Sequence, residues 1–126
     1  MKKVNKVIIN FFIIAAIVIA ILYGIYLNKQ KNLPVQEDVF YYGITCPHCK
    51  VVEQYMEENN VSSKIQFKSK EVYQNKENAA ELTKVGRYCK LGKNIGAVPL
   101  LFYNDNCYLG DKPIIDFLNK TISGVK

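Results

Sequence analysis

Two cysteines separated by two residues, in Cys46-Pro47-His48-Cys49, can pass between dithiol and disulfide within a single turn of backbone. The thiolate is the reactive form, and a helix N-terminus stabilises it through the positive end of the macrodipole. The flanking residues supply that terminus. Val39, Phe40, Tyr41 and Tyr42 read as a short buried strand with apolar side chains on both faces, and residues 50–59 have helical spacing. Cys46 then falls at the Ncap and Pro47 at the first helical position, where its missing N–H is no loss. A sulfur at the helix start is expected to be exposed, whereas Cys49 faces inward with Val52 and Met56. His48, the single histidine of the chain, lies between the two cysteines. It is a candidate for tuning the Cys46 thiolate; an exposed polar residue with no such role is the plainer alternative.

Cys89 and Cys107 complete the set of four cysteines. Their elements both border the same expected strand, so a second disulfide is geometrically open to them. Two reduced core cysteines and a second redox relay compete with a structural clamp. The gaps of 39 and 17 residues that separate Cys49, Cys89 and Cys107 give no second short-spaced pair, so no metal site is expected.

Residues 7–27 form a run of 21 in which Asn10 is the one strongly polar member. At about 1.5 Å per residue such a run spans a hydrocarbon core of roughly 30 Å. A cleaved signal peptide is the competing interpretation, but the run is long for one and lacks a small-x-small site at its end. We therefore expect an uncleaved signal-anchor over residues 1–28, a polar linker over 29–37 and a single globular domain over 38–126. Lys2, Lys3 and Lys6 before the span slightly outweigh Lys29 and Lys31 after it, which favours a cytoplasmic N-terminus and an extracytoplasmic domain. The formal charge of +6 divides evenly. Three lysines precede the span, and the remaining 14 basic side chains face 11 acidic ones. The latter are interspersed without a basic stripe, so no nucleic-acid partner is expected.

Along the domain, Ile65-Gln66-Phe67 is the candidate second strand, and residues 71–89 carry one helix or a broken pair. Residues 92–97 read as loop and 98–103 as an apolar strand with Pro99 near its start. Asn104-Asp105-Asn106 form a turn, Cys107-Tyr108-Leu109 a returning strand, and a last helix follows Pro113. The order β-α-β-α-β-β-α implies a parallel pair followed by an antiparallel hairpin in a four-stranded mixed α/β sheet, covered by helices.

Three stretches, residues 40–49, Ala97-Val98-Pro99 and Tyr108-Leu109-Gly110-Asp111, resemble the thioredoxin superfamily, in particular its small glutaredoxin-like and DsbA-like members. The similarity extends over roughly residues 37–122 and implies a thioredoxin-like fold. It implies Cys46 as nucleophile and Cys49 as resolving thiol, with no cofactor beyond this redox-active disulfide. It also implies that Pro99 is a cis proline beside the disulfide, with Val98 offering its backbone to an extended substrate segment. Pro47-His48 matches the pair of the oxidising DsbA-like group, and stabilising the reduced form makes a disulfide the stronger oxidant. Two departures stand out. The large helical insertion of full-sized DsbA-like oxidases is absent, and Gly110-Asp111 stands where glutaredoxins carry Gly-Gly in the region that meets glutathione.

The expected activity is thiol–disulfide exchange with protein substrates, in the oxidising direction, with electrons leaving to an unidentified membrane redox partner. A reductase or isomerase would use the same residues. A module of another class would hold a soft metal such as copper on Cys46 and Cys49, with His48 as a candidate further ligand.

Overall fold

The computed structural model describes residues 2–31 and 33–124. The chain divides between Leu33 and Pro34 into two compact units. The first is one helix, α1 (Lys2–Lys31). Its segment Asn5–Asn28 is long and apolar enough to cross a membrane, and none of its most apolar window is buried within the protein. The helix continues to Lys31 and the second unit starts at Pro34. Within the stretch expected as linker, Val35 is buried and Glu37 is paired with Lys68 at 2.5 Å and Lys70 at 2.9 Å.

The second unit runs β1 (Val39–Tyr42), α2 (Pro47–Glu58), β2 (Lys68–Glu71), α3 (Lys76–Tyr88), β3 (Leu100–Tyr103), β4 (Asn106–Leu109) and α4 (Asp111–Gly124). Single 3₁₀ turns lie at Val61–Ser63 and Gly92–Asn94. The strands align in the order β2-β1-β3-β4. The β1–β2 pair is parallel, and β1–β3 and β3–β4 are antiparallel. This is the expected thioredoxin-like arrangement, a four-stranded mixed sheet flanked by helices.

Alternation along the central strands builds two cores. Phe40 and Leu101 face one side, where they cluster with Val52 of α2 and with Ile114 and Leu118 of α4. On the other side Phe102 meets the ring of Tyr88 edge-on at 5.9 Å, and Leu82 and Val85 of α3 are buried. Tyr41 is fully buried, and its hydroxyl donates to Glu81 at 2.6 Å. Burial, reinforced by that carboxylate, pushes its phenol far above the ordinary value. Asn75 caps α3 by accepting from Asn78 N at 3.0 Å, and the helix is unbroken.

The second strand is displaced from its expected place. Ile65 instead closes the 3₁₀ turn, with its N–H bonded to Val61 O at 2.9 Å and its side chain in the core. Phe67 packs edge-on to Phe40 at 6.4 Å. Pairing begins only at Lys68, whose strand, Lys-Ser-Lys-Glu, lies at the sheet edge. On α2, Cys49 and Val52 are buried on the inner stripe, while the neighbouring Val51 is exposed.

Candidate active site

The motif sits where β1 ends and α2 begins. Cys46 is the Ncap, with φ −80° and ψ 115°, and Pro47 opens the helix. Cys46 N donates to Gly43 O at 3.0 Å, and Cys46 O accepts from Lys50 N at 3.2 Å. Its sulfur takes the place of a capping oxygen, accepting from Cys49 N at 3.2 Å. Sequence therefore fixes the position of Cys46 locally: a proline at N1 and a side-chain acceptor at Ncap are what a helix start demands.

Cys46 and Cys49 are joined as a disulfide, with Cα atoms 5.2 Å apart. Cys49 is fully buried, and Gly43 N donates toward its sulfur at 3.5 Å. Cys46 is less open than its position at the helix start implies, since only 5% of the residue is exposed. The reason lies across the sheet end, where the chain before β3 comes over the motif. Val98 O approaches Cys46 Sγ to 3.9 Å, and the Val98–Pro99 peptide bond is cis. Pro99 is buried, and its carbonyl accepts from Gly110 N at 2.9 Å. Residues 46, 49, 98 and 99, drawn from two distant parts of the sequence, thus meet at one point.

His48 is 71% exposed, and its Nδ1 lies 3.0 Å from Asp111 Oδ2, at the start of α4. This ion pair joins positions 63 residues apart and has no local sequence signal. The His48 contact, followed by the N–H of Lys112, holds the Asp111 carboxyl below its ordinary value against a smaller effect of desolvation. Sequence reasoning had marked Asp111 only as a departure from Gly-Gly. It also missed Glu71, whose carboxylate accepts from the backbone N–H of Ile44 at 3.2 Å, just before the motif.

Cys89, the C-cap of α3, and Cys107, in β4, form the second disulfide, with Cα atoms 6.1 Å apart. The covalent loop between them carries the 3₁₀ turn, Val98, Pro99 and β3. Clefts of about 430 and 420 Å³ open along α2 and the β2 edge, sharing Met56, Glu57 and Ser69 as lining, and neither includes any of the four motif residues.

A thiol pair at a helix N-terminus, set against a cis proline in a mixed sheet, defines a thioredoxin-like thiol–disulfide oxidoreductase domain. The glutaredoxin family model matches residues 39–108, and the chain belongs to that family. No curated protein and no solved structure matches the chain.

Proposed function

We propose that this protein is a membrane-anchored oxidoreductase that donates its Cys46–Cys49 disulfide to protein thiols outside the cytoplasm. The observation that carries this is the disulfide at the helix N-terminus, with Cys49 fully sealed and Cys46 the slightly more accessible of the two. A substrate thiolate attacks Cys46 Sγ, the Cys46–Cys49 bond breaks, and Cys49 leaves as the thiolate. A second substrate thiol, as thiolate, then attacks the mixed disulfide. Substrate leaves oxidised, Cys46 is released, and two electrons and two protons remain on the cysteine pair. A membrane redox partner must accept those electrons to complete the cycle.

The helix terminus and the Cys49 N–H both stabilise a thiolate at Cys46, which favours the oxidising direction. Pro47 starts α2, and His48, held by Asp111, keeps an imidazole on its first turn. Val98 is the backbone wall for an extended substrate segment, with Pro99 fixing its place beside Cys46.

The alternative is a protein disulfide reductase or isomerase, and one observation favours it. The Val98 carbonyl dipole points its negative end at Cys46 Sγ, which disfavours a thiolate there and so a strongly oxidising pair.

Replacing the resolving thiol tests the exchange itself. Cys49→Ser should accumulate mixed disulfides between Cys46 and protein thiols, visible as reductant-sensitive adducts by mass spectrometry. Absence of adducts on Cys49→Ser, while the variant stays folded, would contradict the proposed role of Cys46.

A further inference from the structure

The corner between β2 and α3 reaches the motif through two side chains that the exchange chemistry does not itself require. Glu71, the last residue of β2, accepts from Ile44 N at 3.2 Å and Tyr73 N at 2.8 Å on one oxygen, and from Gln74 N at 2.8 Å on the other. Desolvation works to raise its carboxyl, but the N–H groups of Gln74, Tyr73, Ile44 and Asn75 together hold it below the ordinary value. The corner is itself anchored. Asn78 Nδ2 donates to Glu71 O at 2.8 Å, and Val72 N to Tyr42 O at 3.0 Å.

Tyr73 lays its ring over Gly43, so that a Cβ at position 43 would collide with three of the ring carbons. A side chain at position 43 would have to displace the Tyr73 ring, and Gly43 is the hub of the site. Its carbonyl accepts from Cys46 N at 3.0 Å, and its N–H points at Cys49 Sγ at 3.5 Å. An N–H aimed at sulfur binds a thiolate more strongly than a disulfide sulfur, since the charged acceptor makes the stronger bond.

We propose that Glu71 and Tyr73 are positioning residues that hold Gly43 against the Cys46–Cys49 pair and thereby set how readily that disulfide is reduced. The proposal rests on the thiol–disulfide reading above and identifies what regulates the same site. Glu71 pins the loop from the Ile44 side, and Tyr73 closes its outer face. The Gly43 N–H then stays on Cys49 as the pair opens, favouring the reduced form.

The test uses the full chain in detergent, equilibrated with reduced and oxidised glutathione. Two glutathione thiols supply the two electrons and two protons that reduce the pair, and become glutathione disulfide. Losing one weak bond to a charged acceptor should lower the equilibrium constant for reduction by about three- to tenfold in Glu71→Ala and in Tyr73→Ala. Tenfold is about 30 mV for this two-electron couple. Tyr73→Phe keeps the ring and should match the parent. Deuterium exchange at the Gly43 amide should be faster in both alanine variants. Constants within about twofold of the parent in both alanine variants would overturn the proposal, as would a Tyr73→Phe shift equal to that of Tyr73→Ala. Should Glu71→Ala fail to fold, Tyr73→Ala carries the test, because that side chain is 56% exposed. A parent that exchanges no disulfide with glutathione would overturn the thiol–disulfide reading instead. The Gly43 amide would then decide the positioning, and unchanged protection in Tyr73→Ala would sink it.

Discussion

Around Cys46 Sγ, opposing dipoles compete. The start of α2 and the Cys49 N–H at 3.2 Å favour negative charge on the sulfur, and the Val98 carbonyl at 3.9 Å opposes it. His48 Nδ1 pairs with Asp111 Oδ2 at 3.0 Å. That contact has a pH signature. The Asp111 carboxyl is depressed below its ordinary 3.8, so it contributes stability above that value and loses it as pH falls through the lower folded value. The difference in thermal midpoint between parent and Asp111→Asn should therefore be present at about pH 5 and shrink below about pH 4. A difference that grows on acidification would contradict the ion pair. Cys46, Pro47 and Cys49 were legible in the sequence because Ncap and N1 preferences act within one turn. Asp111, Glu71 and Tyr73 were not, because each reaches the motif through tertiary contact.

Among the elements, α2 and the strands β1 and β3 declare themselves by apolar pattern, while β2 does not. Its Lys-Ser-Lys-Glu sequence has no alternation because an edge strand with a solvated face needs none; its backbone pairing with β1 and the bridge from Lys70 to Glu37 and Glu81 hold it. The apolar Ile65 and Phe67 drew the strand assignment to themselves, but they serve the core from a turn and its exit. The Cys89–Cys107 bond belongs to this scale too, since it ties the end of α3 to β4 and encloses the segment bearing Val98 and Pro99. Cross-linking residues 18 apart restrains the unfolded chain by about 3 kcal/mol in the chain-entropy account. Cys89→Ser/Cys107→Ser should lose stability of that order in denaturant titration while keeping the Cys46–Cys49 pair. A double variant as stable as the parent would show that the bond clamps nothing.

For the whole molecule, the apolar α1 and the redox unit make a coherent pair if the span places the cysteines where disulfides persist. The lysine excess on the N-terminal side of the span argues for that orientation. β-Galactosidase, which works only in the cytoplasm, should be inactive when fused after Lys126, and alkaline phosphatase, which needs its own disulfides, should be active there. The opposite pattern would place the motif in the cytoplasm and contradict the proposed location.

The most direct test of the account is the reduction potential of the Cys46–Cys49 pair in the full chain. Helix-terminal stabilisation of the Cys46 thiolate predicts a value well above that of thioredoxin, at about −200 mV or higher. A value at or below roughly −270 mV would contradict the oxidant and identify the pair as a reductant.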